Sequence, residues 1–528
     1  MSTWTNRRPE VDVAAEIAAV PTDLPLAGLR LAVKDNIDVA GLPTTAACPS
    51  FAYDPPVSAP VVERLVAAGA VVVGKANLDQ FATGLVGTRS PYGRCESPLA
   101  SGRVSGGSSS GSAVAVATGE ADLGLGTDTA GSGRVPAMFC GVVGLKPTPG
   151  WLPLDGVVPA SPSFDCVSLF ARDVATAALG TELAAGNAAR EAPAIRRLGV
   201  PRAAEVEESC DAGVAEAFAA VVARLPELGF AVVEVDLAAY LEAGQLLYAG
   251  GLVAERYATV WPLLEPHLSD ADPTVAKIVA AASGVTARQY VGAQLRLGRL
   301  REECEALWTS VDAVVVPTAP RHPTFAEVDA EPVATNAGLG RYTNGCNLVG
   351  WCAAAVPVGT WGDGLPFGVT VLGPAWTDRA VWTAAATIAG QAPPASPARP
   401  DVVHLAVCGA HLEGQPLHHQ LADRGATLVA STATADIYRM FRLATDPAKP
   451  GVVRVAEGGA SLEVEVWALD HAAFGSFVAE VPAPLVIGAV ELADGTWVKG
   501  FLCEPHAIVD AEDITDFGGW RAWLMSRS

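Results

Sequence analysis

Three stretches in the first quarter of the chain hold residues suited to nucleophilic chemistry. Lys34 sits in Ala32-Val33-Lys34-Asp35-Asn36, Ser108 in Gly106-Gly107-Ser108-Ser109-Ser110-Gly111, and Ser132 in Thr129-Ala130-Gly131-Ser132-Gly133-Arg134. A serine hydroxyl attacks poorly until something removes its proton. Only two of the eight histidines, His267 and His322, precede residue 400, so a histidine-based centre would have to recruit one of those two. Lysine can serve instead when burial brings it to the neutral form, since its pKa can fall by up to about 3–5 units from a reference near 10.4. The chain has six lysines against 29 arginines, and arginine could not act as the base because its guanidinium does not deprotonate.

The loops add the second half of such chemistry. Gly106–Gly111 precedes a helical stretch and could cradle an anion at a helix N-terminus, but it lacks the Gly-Lys-Ser/Thr ending of a nucleotide loop. Thr129-Ala130-Gly131-Ser132 is a run of small residues whose successive N–H groups can converge on an oxyanion, each donor being worth roughly 3–4 kcal/mol. Ser109, Ser110 and Asp128 are read as loop hydrogen-bonders. Further on, Tyr248 and Arg256 stand eight residues apart in Leu247-Tyr248-Ala249-Gly250-Gly251-Leu252-Val253-Ala254-Glu255-Arg256. The guanidinium could grip a carboxylate with the phenol assisting, and the glycine pair breaks an otherwise helical pattern.

These groups need a scaffold, and α/β patterning supplies one. Leu29–Val33 and Ala70–Val73 are short apolar runs of buried-strand type, and Pro60–Ala68 between them has helical spacing. A helix is expected from Gly111 through Ala117, a strand at Asp312–Pro317, and mostly helix over residues 203–305. At 528 residues, half of them apolar and 17% charged, the chain is globular and too long for one core. Its formal charge of −22 argues against nucleic acid and anionic membranes as partners. An anionic substrate would need a local cation. The N-terminus shows no secretory pattern, no apolar run reaches 18 residues, and ten scattered cysteines read as buried thiols of a reducing cytoplasm, with no metal-ligand spacing. Four prolines between Gln391 and Pro400 mark a linker over 391–401. It divides domain 1–390 from a strand-rich domain, 402–528, that contains Ser461–Trp467 and six of the eight histidines.

In order and register, the motifs from Leu31 to Pro147, ending in Phe139-Cys140-Gly141-Val142-Val143-Gly144-Leu145-Lys146-Pro147, resemble the amidase signature family. The resemblance implies a mixed central sheet covered by helices. It implies a triad in which Ser132 is the nucleophile, Ser108, preceded by a cis peptide bond, relays the proton, and Lys34 is the base. The oxyanion hole would be the N–H groups of Thr129, Ala130, Gly131 and Ser132. Ala130 stands where many relatives have glycine. The chain begins 33 residues before Lys34, fewer than in many relatives, so an N-terminal helical segment is expected to be missing.

Beyond the linker, Cys408-Gly409-Ala410-His411-Leu412-Glu413-Gly414, Lys499-Gly500-Phe501-Leu502-Cys503-Glu504 and Phe517-Gly518-Gly519-Trp520-Arg521 resemble the accessory domain of the allophanate hydrolase family. That implies an α+β, γ-glutamylcyclotransferase-like fold, with His411 as its candidate functional residue. It also implies hydrolysis of allophanate (urea-1-carboxylate) to ammonia and CO2 during urea or s-triazine breakdown. Tyr248 and Arg256 would hold the carboxylate, no cofactor would be needed, and the protein would be a homodimer with urea carboxylase as functional partner. The alternative is a broader amidase, or one component of an amidotransferase, whose C-terminal domain only mediates assembly.

Overall fold

Burial on both faces explains why so many strands here are unbroken apolar runs rather than alternating ones. In the computed structural model, which describes residues 3–394 and 402–527 apart from 249 and 446, the first compact unit runs from Met1 to Ala395 and the second from Ser396 to Ser528. The division falls inside the expected linker, of which residues 395–401 lie outside the described residues.

The first unit is built on one mixed sheet. Its strands are β1 (Trp4–Arg7), β2 (Arg30–Lys34), β3 (Val71–Ala76), β4 (Leu123–Asp128), β5 (Val143–Lys146), β6 (Cys166–Ala171), β7 (Arg197–Pro201), β8 (Ala231–Val235), β9 (Ala313–Pro317), β10 (Cys352–Trp361) and β11 (Leu365–Gly373). They lie in the order β1-β3-β2-β4-β6-β5-β10-β11-β9-β7-β8. β2 is parallel to both β3 and β4, with Leu31 opposite Leu123 and Val33 opposite Leu125. The carboxyl ends of β2 and β4 therefore deliver Lys34 and Thr127-Asp128 side by side. The helix Pro60–Ala67 starts with its proline at the first turn, where no N–H is required, and buries Val61, Val62 and Leu65. The helix Ser110–Ala117 buries every residue from Ser110 to Val116.

The stretch 203–305 is mostly helical, as expected, with one strand inside it: Ala231-Val232-Val233-Glu234-Val235 pairs with β7 at the sheet edge, and its β-branched residues suit a pleated surface better than the Ala-rich flanks do. One expectation is corrected. The segment ahead of Lys34 does contain a helix, Glu10–Ala19.

Helices Val253–Leu264 and Pro273–Ala281 build their own apolar cluster, in which Val260, Leu264, Val275 and Val279 meet Ala46, Cys48, Phe81 and Val158. This cluster is separate from the one that fills the sheet.

The second unit is α+β. β12 (Val402–Val407), β13 (Thr427–Ala433), β14 (Tyr438–Arg442), β15 (Pro450–Arg454), β16 (Glu463–Asp470), β17 (Leu485–Glu491), β18 (Trp497–Cys503) and β19 (Glu512–Asp513) form a five-stranded sheet, β13-β16-β12-β18-β17, and a three-stranded one, β15-β14-β19. The helix His471–Ala479 is capped by Asp470, whose side chain accepts from the Ala473 N–H. Nine of the ten cysteines are buried thiols and Cys210 is partly exposed. Among the described residues no helix is long and apolar enough to cross a membrane.

Candidate active site

Lys34, Ser108 and Ser132 come together as an unbroken chain of polar atoms. Lys34 Nζ donates to Ser108 Oγ over 2.7 Å, and Ser108 Oγ donates to Ser132 Oγ over 3.0 Å. Lys34 and Ser108 are fully buried and Ser132 is 4% exposed. The Gly107–Ser108 peptide bond is cis. Burial is the largest influence on Lys34 and drives its pKa down from 10.5 to about 7; Asp79, Asp128 and Asp165 push it back up, and Arg256 lowers it further. The lysine is thus poised to lose its proton near neutral pH. When it does, the two hydroxyl rotors can turn, so that Ser132 donates to Ser108 and Ser108 to the lysine lone pair.

Lys34 Nζ has a second partner that the sequence did not single out. Thr127 Oγ1, at the penultimate position of β4, accepts from it over 2.7 Å. This bond leaves the remaining direction of the amine free to face Ser108. Thr127→Val should lower kcat/KM about 5- to 10-fold, the worth of one net hydrogen bond. Because the bond favours the charged amine, its loss should also move the acid limb of the pH–rate profile to lower pH. Thr127→Ser should restore both; a pH–rate series on the three proteins checks this.

The nucleophile loop is braced from below. Asp128 is fully buried and takes the Gly131 N–H on Oδ1 (2.8 Å) and the Gly133 N–H on Oδ2 (2.9 Å). Arg134, also fully buried, forks onto both oxygens at 2.9 Å and reaches Asn347 Oδ1 at 3.0 Å. Burial is the largest influence on Asp128 and would raise its pKa, but the Arg134 charge and hydrogen bonds, the Lys146 charge and the Gly133 N–H together outweigh it and hold the carboxylate below its usual range. Gly131 has φ 131°, and a Cβ there would run into Thr343, whose hydroxyl donates to the Ala130 carbonyl at 2.7 Å; only glycine fits. Ser109 and Ser110 are also loop hydrogen-bonders, Ser109 Oγ donating to Thr127 O and Ser110 Oγ to Asn77 O.

The oxyanion set narrows. The Gly131 N–H points onto Asp128 and so leaves the expected group, whereas those of Thr129, Ala130 and Ser132 meet no acceptor among the described residues.

Tyr248 and Arg256 are brought together by the break the glycine pair announces. The helix Ala238–Leu246 ends before Tyr248, and the next begins at Val253. The guanidinium carbon lies 5.8 Å from the Tyr248 ring centroid. Arg256 is only 2% exposed. Its Nη1 donates to Thr83 Oγ1 over 2.8 Å, while its Nη2 is buried with no partner among the described residues. A buried cation with an unused donor is costly unless something fills that place.

In the second unit, His411 lines a cavity of about 190 Å³ together with Cys408, Gln420, Lys449 and Glu480. Its Nε2 is hydrogen-bonded with Gln420 Oε1 at 2.9 Å, and its ring stacks on Phe501. Burial lowers its pKa, opposed by Gln420 and assisted by Lys449.

The chain belongs to the amidase family, whose model matches residues 10–382. Residues 403–525 match the allophanate hydrolase C-terminal domain. The chain is 40% identical over 545 residues to the urea amidolyase of Saccharomyces cerevisiae, a match that covers 95% of this chain and 30% of the relative. It therefore spans less than a third of that protein's length. The solved allophanate hydrolase of Kluyveromyces lactis is 38% identical with a TM-score of 0.70, covering 100% of this chain and 94% of the neighbour. The 2-amino-5-chloromuconic acid deaminase of Comamonas testosteroni is 36% identical over 367 residues, which is 66% of this chain and 78% of the relative.

Proposed function

We propose that this protein hydrolyses allophanate, with Ser132 as nucleophile, Ser108 as proton relay and Lys34 as base. The observation that carries the reading is the buried Nη2 of Arg256, a cation with an unused donor whose field reaches the lysine of a hydrogen-bonded Lys–Ser–Ser chain. A carboxylate would fill that place, and a substrate with an amide at one end and a carboxylate at the other would span the two sites. The likeness to the yeast allophanate hydrolase over both units supports the same substrate.

Neutral Lys34 draws the proton from Ser108, Ser108 draws that of Ser132, and Ser132 Oγ bonds to the terminal carbamoyl carbon. The developing oxyanion faces the N–H groups of Thr129, Ala130 and Ser132. The proton returns through Ser108 to the leaving nitrogen, and ammonia departs. Water then splits the acyl-serine by the same relay. The N-carboxylated product loses CO2, and the carbamate that remains yields the second ammonia and a second CO2. His411, in the cavity of the second unit, is the candidate to assist that decarboxylation. In this reading the protein is a cytoplasmic homodimer acting after an enzyme that carboxylates urea, with urea carboxylase as its functional partner.

Ammonia release from allophanate, compared with acetamide, benzamide and malonamide, tests the substrate; equal or better turnover of a neutral amide would sink it in favour of a broader amidase. Ser132→Ala should abolish turnover of all of them. Arg256→Gln should reduce kcat/KM for allophanate by about 2–5 kcal/mol, the cost of breaking a buried charge pair, and affect a neutral amide far less.

A further inference from the structure

We propose that Thr83 is the positioning residue that aims Arg256, and that its neutral hydroxyl is what makes the site select a carboxylated substrate. This rests on Arg256 being the carboxylate anchor. Thr83 is 2% exposed. Its single hydroxyl hydrogen is directed to Phe81 O at 3.2 Å, so its lone pairs remain to accept the Arg256 Nη1. That fixes one arm of the guanidinium and leaves the other, Nη2, bare. A carboxylate in this position would also hold the arginine, but it would cancel its charge and compete with the substrate for it.

The backbone around Thr83 is fixed from several directions. Phe81 and Ala82, immediately before it, lie in the left-handed region at φ 48° and 52°. Non-glycine residues persist there only when their surroundings over-determine them, and such positions cluster at functional sites. The Thr83 carbonyl takes Arg89 Nη1 at 2.9 Å, and Arg89 Nη2 reaches Pro332 O at 2.7 Å. The same loop begins at Asp79, whose buried carboxylate gathers the N–H groups of Val86, Gly87 and Arg89 and whose own N–H donates to Ser108 O at 3.1 Å. One short loop thus touches the proton relay at one end and the arginine in its middle. That gives the distance between the attacked carbon and the carboxylate a fixed frame.

The test is the ratio of kcat/KM for allophanate to that for biuret, in which a carboxamide replaces the carboxylate. Thr83→Val should lower this ratio roughly ten- to a hundredfold, the effect of removing a hydrogen bond to a charged group, mainly through KM for allophanate. Thr83→Ser should keep it within about threefold of the parent. Thr83→Asp should lower it at least as far as Val, because an internal carboxylate would pair with Arg256. Equilibrium binding of allophanate to Ser132→Ala, with and without Thr83→Val, reads the same claim without turnover. A ratio that stays at the parent value in Thr83→Asp, or that falls in Thr83→Ser as far as in Val, overturns the proposal. Arg256→Gln measured alongside separates the two levels. If it changes the ratio and the Thr83 variants do not, Thr83 is not the aiming residue; if it leaves the ratio unchanged, the carboxylate reading of Arg256 fails and this inference with it.

Discussion

Lys34→Met should cut kcat by roughly 10²- to 10⁴-fold, the range that a positioned general base supplies, in a protein that still folds. Lys34→Arg should be as poor, because a guanidinium in that place cannot give up its proton. In the parent enzyme turnover should climb with pH through about 7, where Lys34 becomes neutral. Arg256 is among the influences that hold this value down, so Arg256→Gln should shift the climb to higher pH. Stability carries a matching signature. The folded pKa of Lys34 lies below the unfolded value near 10.4, so between about pH 7 and 10 the unfolded chain binds more protons. The burial penalty is therefore fully present below pH 7 and relieved as pH rises, with a slope of at most about 1.4 kcal/mol per unit. Lys34→Met should lose that slope. Denaturant titrations at pH 7 and 9 on both proteins measure the difference, and identical slopes would mean that Lys34 is charged in the fold across this range.

Arg134→Met should be the most destabilising single change in the first unit, by about 3–5 kcal/mol. It leaves Asp128 buried with its charge uncompensated. The Gly131 and Gly133 N–H bonds alone would then face a carboxylate at zero exposure, and the Ser132 loop would lose the support that sets its curve. Joining Asp128→Asn to Arg134→Met should recover part of the loss, because the stranded charge is gone, although turnover should stay low. A double-mutant cycle on unfolding free energies decides it. Additive losses would show that the two residues are not coupled and that the loop is held by Thr343 and Asn347 alone.

The reactive hydroxyls and the lysine were readable because each belongs to a short motif whose residue types are scarce outside such chemistry, and because their order in the chain adds to each one's weight. Tyr248 and Arg256 were readable from a glycine pair interrupting a helical pattern. Thr83 and Thr127 were not, because a threonine says nothing until its hydroxyl is seen beside a buried cation. Thr83 and Arg256 are 173 residues apart, and no local pattern joins them. The Gly131 N–H misled for the opposite reason. It lies in the right loop, but a side chain three residues back takes it. The strand Ala231–Val235 was hidden by its helical neighbours, since five residues at a sheet edge leave too short a period to stand out.

The apolar cluster under Val253–Leu264 bears on how such a chain can diversify. Arg256, proposed as the carboxylate anchor, rides on helices with their own packing, while Lys34 and Thr127 stand at the ends of sheet strands. Substitutions that alter what is recognised can therefore accumulate around Val260, Val275 and Phe81 without disturbing the strands that carry Lys34 and Thr127. The packing of the two regions is separate, while the Arg256 charge and the Asp79 carboxylate still tie the recognition side to Lys34. A laboratory lineage selected on a new amide should collect its first changes in residues 79–89 and 247–285.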